Sequence, residues 1–350
     1  MKLTLGHFKW SLIVSALALA AAYFYGGWAA VGLAAVLGVM EVSLSFDNAV
    51  VNARVLEKMS ARWQMLFLTV GIVIAVFGMR LVFPLAIVSV TTGLSFADVI
   101  TLALAKGDPA TPGTFGHYLH DAHPQIAAFG GMFLLMLFLD FIFQRQEVTW
   151  LSFIERPLAK LGKVPGFSYA VALTALAAVS FAAHSQVVVL IAGTLGLITY
   201  VLVGGVGALF EQPEDDHPRP AGGVGRQVGK AAFFSFVYLE VLDASFSFDG
   251  AIGAFAITAD PIIIALGLGV IGALFVRSLT VFFVRQGTLD EFRYLDHGAH
   301  WAIGALAVIL VISIAVPVPE VVTGLIGVAF IGAAFVSSIR ANRTADATPA

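Results

Sequence analysis

Long apolar stretches separated by short polar breaks run the length of the chain, and most are too long for strands and too continuously apolar for soluble amphipathic helices. They define ten candidate membrane-spanning helices, at 8–25, 28–54, 63–88, 125–144, 167–183, 186–210, 230–257, 261–284, 299–316 and 320–339. A further apolar stretch, 89–106, is interrupted by Thr91-Thr92-Gly93 and Asp98 and reads as a re-entrant or interfacial segment or an extra loosely packed helix. The breaks carry turn chemistry, as at Asp108-Pro109 and Thr111-Pro112-Gly113, or charge, as in the acidic run from Glu211 to Asp216. Near the N-terminus Lys2, Lys9 and Ala20-Ala21-Ala22 imitate a secretory signal. Tyr23, Phe24 and Tyr25 follow at once, so 8–25 reads as a retained first span with an interfacial aromatic end.

Composition agrees with this pattern. Of 350 residues 59% are hydrophobic and 12% charged, with a mean hydropathy of +0.94, which excludes a soluble globular enzyme and a disordered chain. Nineteen Lys and Arg against 22 Asp and Glu leave no basic footprint for nucleic acid. With no cysteine, neither a disulfide framework nor a thiolate metal site can form.

Charge also orients the spans. With a cytoplasmic N-terminus and ten crossings, sixteen of the 19 Lys and Arg fall on the cytoplasmic side, Lys106 falls outside, and Arg80 and Arg277 lie within spans. Nine crossings, or 89–106 as a full crossing, would scramble that bias. Both termini are therefore expected in the cytoplasm.

The two halves resemble each other. Glu41-Val-Ser-Leu-Ser-Phe-Asp47-Asn48-Ala49 matches Asp243-Ala-Ser-Phe-Ser-Phe-Asp249-Gly250-Ala251 at an offset of 202 residues. A lone arginine follows each copy one span later (Arg80, Arg277), and then come Tyr118 to His123 and Tyr294 to His300. Five spans per copy invert the second copy in the membrane, the plan of secondary transporters. The expected fold is an all-α polytopic membrane helix bundle of about ten helices in two inverted five-helix repeats. The first covers 1–183, the second 184–340, and 341–350 form a cytoplasmic tail.

An ionisable group inside a span costs about 2.5–3.5 kcal/mol on insertion scales and normally faces the bundle interior. Glu41, Asp47, Glu240, Asp243 and Asp249 outnumber Arg80 and Arg277 by three charges, which calls for a cation or for protonation. Alternatively the acids merely pair with the arginines to hold the bundle, although two arginines cannot neutralise five acids. At about 100° per residue, Glu41 and Asp47 lie about 240° apart, whereas Glu41, Ser45 and Asn48 share one face, and Ser43 with Asp47 another. Glu240, Asp243 and Ser247 align in the second copy, and Ser245 with Asp249 separately. Clustered Ser, Asp, Asn and Gly predict breaks near Ser45–Asn48 and Ser247–Gly250, which would bring both carboxylates of each copy to one cavity. The donors are all oxygens, carboxylates with the hydroxyls of Ser45 and Ser247 and the amide of Asn48, and suit Mn²⁺, Ca²⁺ or Mg²⁺.

The stretch Glu41 to Val50 resembles the signature of the TerC family, membrane proteins named for tellurium resistance, and Glu240 to Ala251 resembles its uncharacterised bacterial membrane branch. The resemblance implies a relation to exporters of lysine and divalent cations, and a role in manganese export or in metalation of exported proteins. It implies Glu41, Asp47 and Asn48 as cation ligands with Asp243 and Asp249 as counterparts, and puts Mn²⁺ ahead of Ca²⁺ and Mg²⁺. Gly250 departs from the pattern where the first copy has Asn48, and the extra acid Glu240 can compensate.

Further features carry weaker expectations. Arg80 and Arg277 are candidate gating counter-ions or static ion-pair partners. Asp140 reads as structural or interfacial. His117, His120, Asp121 and His123 read chiefly as solvated loop residues, with metal recruitment as the alternative; His297 and His300 repeat that spacing on the cytoplasmic side. His184 is a proton group or a helix-end residue, and Asp215-Asp216-His217 a solvated linker. No nucleotide motif or nucleophile–histidine pair is present, so no enzyme activity is expected. The expected function is divalent cation export across the bacterial inner membrane, with proton coupling open, no nucleic-acid partner and an undetermined oligomeric state. A non-transporting scaffold that delivers metal to exported proteins is the alternative.

Overall fold

A computed structural model describes residues 8–71, 73–210, 227–286 and 292–346. Every named element among them is helical. In chain order these are α1 (Lys9–Leu44), α2 (Phe46–Lys58), α3 (Ala61–Leu66), α4 (Phe83–Thr92), α5 (Phe96–Leu104), α6 (Phe115–Asp121), α7 (His123–Phe143) and α8 (Ser152–Leu161). There follow α9 (Phe167–Ala182), α10 (Gln186–Phe210), α11 (Gly229–Ile257), α12 (Pro261–Ile264), α13 (Ala273–Gln286), α14 (Leu295–Ser313) and α15 (Glu320–Asp346). Wider π-helical turns join α3 to α4 (Phe67–Gly71, Ile74–Val82) and α12 to α13 (Ala265–Gly272). A chain this apolar satisfies its backbone within helices because lipid offers no partners.

Six helices among the described residues are long and apolar enough to cross a membrane: Lys9–Leu44, His123–Phe143, Gln186–Gly204, Pro261–Val284, Leu295–Ser313 and Val322–Arg343. A seventh crossing arises if Phe77–Thr92 and Phe96–Leu104, bent by 116°, are one broken span. The chain is thus multi-pass, with fewer plainly apolar helices than the ten expected. The shortfall has physical causes. α9 has only 16 residues, and 8–25 and 28–54 are partly fused in one 36-residue element.

That element is itself a hairpin. Gly26 (φ −147°, ψ 22°) and Gly27 (φ 66°, ψ −158°) leave helical geometry. Before them the chain runs from Ser11, bonded to the Leu274 carbonyl at 2.8 Å, to Tyr25, bonded to Asp260. After them it runs from Ala34, against Gly267, to Glu41, against Gly272. One arm descends the 260–278 rod and the other climbs it, so the chain reverses at the glycine pair.

The interrupted stretch 89–106 also turns back. Gly93 (φ 73°) closes α4, and Ser95 caps α5 through the Asp98 amide at 3.2 Å.

α7 is the central helix: 72% of its apolar window is buried, against 22% for Gln186–Gly204. Met132, Phe133, Leu134 and Met136 fill the main core with residues of α10, α11 and α14. Peripheral faces expose Trp10, Phe24, Trp28 and Phe181, as lipid contact requires. One end of the bundle gathers Tyr25, Lys106 and Asp260, Phe115 against Phe255, and His123 beside Ser313. The other gathers Met59 with Gln227, Arg54 with Asp296, Glu155 with His297, and Tyr294 with Ser338.

Candidate functional site

The two motif helices differ in regularity. α1 ends at Leu44, Ser45 leaves helical geometry (φ −101°, ψ 14°), and α2 resumes at Phe46. Hydrogen bonds from the Ser45 amide to the Glu41 carbonyl (2.9 Å) and from the Ala49 amide to the Ser45 carbonyl (3.1 Å) bridge the joint. The expected break is therefore present without unwinding. In the second copy it is absent: α11 runs unbroken from Gly229 to Ile257. Ser245 donates back to the Val241 carbonyl (2.9 Å) and Ser247 to Asp243 (3.4 Å), so the hydroxyls find partners without opening the ladder.

Glu41, Ser45 and Asn48 share a face. Ser45 donates to Glu41 Oε1 at 2.7 Å, and Asn48 Nδ2 crosses to Asp243 Oδ1 at 2.7 Å. Arg80, from the π-helical turn, bonds Glu41 Oε1 and lies 3.9 Å from Asp243 Oδ2. One guanidinium thus stands between an acid of each motif helix, and all of these groups are buried. Glycines make the room. A Cβ at Gly272 would fall 2.3 Å from Glu41 Cγ, one at Gly250 would fall 3.0 Å from Glu41 Oε2, and one at Gly71 would fall 2.6 Å from Glu240 Oε1. Gly250, the motif's departure, therefore seats the first copy's glutamate.

Arg80 also separates two cavities. One of about 30 Å³, room for a water molecule or a small ion, is lined by Asn52, Gly71, Arg80, Glu240, Asp243 and Arg277. Both Glu240 carboxylate oxygens are buried there without a hydrogen bond from any described residue, an arrangement that favours a cation or a proton. Arg277 lines the same cavity and donates to the Leu68 carbonyl at 2.9 Å. On the other side of Arg80 an apolar cavity of about 90 Å³ is lined by Pro84, Ala103, Phe115, Phe255 and Pro261.

Asp47 stands apart. It accepts the Asn48 amide at 3.0 Å and lines a separate cavity of about 10 Å³ with Ser43, Thr323 and Gly327. The expectation that a break would unite Glu41 and Asp47 is corrected, because the preserved ladder keeps the angular separation that six helical residues impose. The Asp249 side chain lies outside the described residues. Among the described residues no three acidic or imidazole groups converge as a metal set; Arg80 occupies the space between Glu41 and Asp243.

Of the remaining candidates, Asp140 accepts the Tyr200 hydroxyl at 2.6 Å, a structural role. His117 lies 3.4 Å from Asp121, His123 meets Ser313 at 3.4 Å, and His184 is exposed at the α9–α10 turn. His297 is buried against Glu155 at 3.2 Å, and His300 bonds the Asp296 carbonyl at 2.8 Å. Asp215-Asp216-His217 lies outside the described residues. The sequence reading missed Asn52, Gly71 and Gly272. Asn52 was within reach, eleven residues after Glu41 and so on the same helical face, whereas the glycines are defined only by contacts between distant segments.

At one end of the bundle, Lys106 lies 2.7 Å from Asp260 Oδ2, and the Tyr25 hydroxyl donates to that oxygen at 3.0 Å. Burial pushes the Asp260 carboxyl up, but hydrogen bonds from Lys106, Tyr25 and the Ile262 amide outweigh it and hold the group below its ordinary range.

No curated protein and no solved structure matches the chain. A family model described as "Protein of unknown function (DUF475)" matches residues 46–345, from just after the Ser45 joint almost to the end of α15, and the chain belongs to that family.

Proposed function

We propose that this protein is a ten-span carrier with two inverted halves that moves a divalent cation, Mn²⁺ first and Ca²⁺ or Mg²⁺ next, outward across the bacterial inner membrane. One observation carries the reading. Glu41 and Asp243, at equivalent places in the two motif copies, converge on a buried guanidinium that separates two cavities. A site that stabilises a fixed cation between two acids also suits a mobile one. Arg80 then acts as a tethered competitor. A divalent ion entering beside Glu240 displaces it, taking oxygens from Glu41, Asp243, Asn48, Ser45 and Ser247. The return of Arg80 releases the ion toward the other cavity.

Cross-pairing of the halves supports the inverted relation. Asn48 of the first copy bonds Asp243 of the second, and Gly250, at the position equivalent to Asn48, adjoins Glu41. The reversal at Gly26–Gly27 supports counting α1 as two crossings, and the polar contacts at the two ends match the ends that ten crossings assign. Asp47, in its own cavity, suits a coupling proton. The resemblance of Glu41 to Val50 to the TerC signature supports a divalent metal ion.

The test is Mn²⁺ uptake into inverted vesicles by the wild type and by Glu41→Gln, Asp243→Asn, Asp47→Asn and Asp249→Asn. Loss of flux in Glu41→Gln and Asp243→Asn is expected, and equal flux in all five would overturn the proposal. Retained Mn²⁺ binding with no wild-type flux in pure liposomes would favour the scaffold instead.

A further inference from the structure

The charge-rich end of the bundle holds a second feature that the carrier reading does not use. Between α7 and α9 the chain leaves the bundle, forms the ten-residue α8, and returns. The carboxylate of Glu155, buried at the start of α8, accepts the backbone amides of Trp150 (3.0 Å) and Leu151 (3.2 Å) and lies 3.2 Å from both His297 Nδ1 and Trp301 Nε1 on α14. At the other end of α8, Gly162 sits so close to the Phe143 carbonyl that a Cβ would fall 2.0 Å from it. The helix is held at both ends, and a cavity of about 690 Å³ lies between it and the end of α7.

Arg145, Arg156, Lys160 and Lys163 line that cavity and are exposed; none forms an ion pair with another described residue. Opposing them are Glu147 and Glu155, and the latter is already saturated by its four contacts. The cavity therefore presents a net positive charge to an incoming anion. Beside it, the same short segment exposes Phe153 (76%), Leu161 (45%) and Val164 (54%). A free phosphate has no use for that apolar margin, but the chains of a lipid do.

We propose that this cavity binds the phosphate-bearing headgroup of an anionic phospholipid, with Arg156, Lys160 and Lys163 from the α8 segment and Arg145 from the end of α7 as its cationic wall. Phe153, Leu161 and Val164 receive the adjoining acyl chains. Basic pockets of this kind recognise anionic headgroups where a chain meets the charged leaflet, and each Lys or Arg there contributes about 1 kcal/mol.

The full chain is purified in detergent and titrated with phosphatidylglycerol, phosphatidylcholine or inorganic phosphate, with bound ligand counted by native mass spectrometry. Phosphatidylglycerol is expected to remain bound where phosphatidylcholine does not. Its affinity should fall roughly fivefold in Lys163→Gln and at least tenfold in Arg156→Gln/Lys160→Gln/Lys163→Gln. Lys58→Gln/Arg62→Gln, which removes exposed cations elsewhere on the same end, should change it less than twofold. Equal loss in that control, equal retention of phosphatidylcholine, or binding of inorganic phosphate alone would each overturn the proposal. Because the substituted side chains are exposed, unchanged thermal midpoints in phosphatidylcholine are expected and are measured alongside.

Discussion

With Glu41 on one side and Asp243 on the other, the Arg80 guanidinium offsets part of a negative charge that the apolar surroundings cannot screen. Removing one member of a buried ion pair costs about 3–5 kcal/mol because the charge left behind is uncompensated. Arg80→Gln should therefore lower the thermal midpoint in chelator. In the carrier reading, Mn²⁺ should then restore it more than it raises the wild type's, since the ion no longer competes with a tethered cation. At a hundredfold excess over Kd the recovery is about 2.7 kcal/mol. Thermal unfolding with and without MnCl₂ checks this, and an Mn²⁺-insensitive Arg80→Gln protein would count against a cation site between the two acids. Gly272→Ala should destabilise by about 1–3 kcal/mol, because its Cβ would have to displace Glu41 Cγ from 2.3 Å. These residues also mark what the sequence disclosed. Helical spacing alone groups Glu41, Ser45 and Asn48, and extends to Asn52. That Arg80 meets Glu41, or that Asn48 meets Asp243, follows from packing between segments 39 and 195 residues apart, which spacing within one helix cannot express. The separation of Asp47 from Glu41 has a different cause: weak helix formers predict an unwound stretch, but in lipid an intact hydrogen-bond ladder outweighs propensity.

Two connections decide how the helices are arranged, and each turns on one kind of backbone or side-chain chemistry. Gly27 combines φ 66° with ψ −158°, a conformation that residues with a Cβ rarely adopt, while no atom lies within 4 Å of where that Cβ would be. Gly27→Ala should cost about 1–3 kcal/mol through the backbone alone. Gly32→Ala, equally unobstructed but inside the helix, should be neutral or stabilising by up to about 1 kcal/mol. Opposite signs for the same chemical change, measured as unfolding midpoints, would mark the hairpin turn, and equal effects would argue for a continuous helix. The second connection is the clamp of Tyr25, Lys106 and Asp260, which ties this hairpin tip to the end of α5 and the start of α12. Because the Asp260 carboxyl is held below its ordinary value of 3.8, its contribution is full above that pH and is lost as pH falls through the lower folded value. Lys106 is shifted the opposite way, above 10.5, chiefly by its bond to Asp260, so its contribution is full below that pH. The clamp should hold across the neutral range and open only in acid. Protection of amides 24–28, corrected for the intrinsic exchange rate at each pH, should therefore fall on strong acidification, and Asp260→Asn should show lowered protection already at neutral pH. An Asp260→Asn protein exchanging like the wild type at both pH values would exclude the clamp. Neither connection is legible as a contact in the sequence, although Gly26-Gly27 and the isolated outer Lys106 are conspicuous there.

For the whole molecule, apolar length and charge asymmetry give different counts of crossings, because they respond to different costs. Length and composition respond to the expense of charge in lipid and, over the described residues, give six plain crossings, or seven with the bent pair. The distribution of Lys and Arg responds to insertion and favours ten crossings. The chain contains no cysteine, so single cysteines at exposed positions report sidedness directly to a membrane-impermeant thiol reagent. Arg62, Ala110, Lys163 and Ser185 are exposed and fall between the contested crossings. Ten crossings put Arg62→Cys and Lys163→Cys on one side and Ala110→Cys and Ser185→Cys on the other. If only the six plainly apolar helices cross, Arg62→Cys pairs with Ala110→Cys, and Lys163→Cys with Ser185→Cys. If the bent pair is added as a seventh, Ala110→Cys stands alone. The expected outcome is the first pattern, and Ser185 is the decisive position, because it alone distinguishes ten crossings from seven. Labelling of Ser185→Cys from the side of Lys163→Cys would remove α9 as a crossing. The halves would then no longer contain five spans each, the second motif copy would lose its inverted sense, and the alternating carrier would lose its structural basis even if Glu41 and Asp243 still bound a cation.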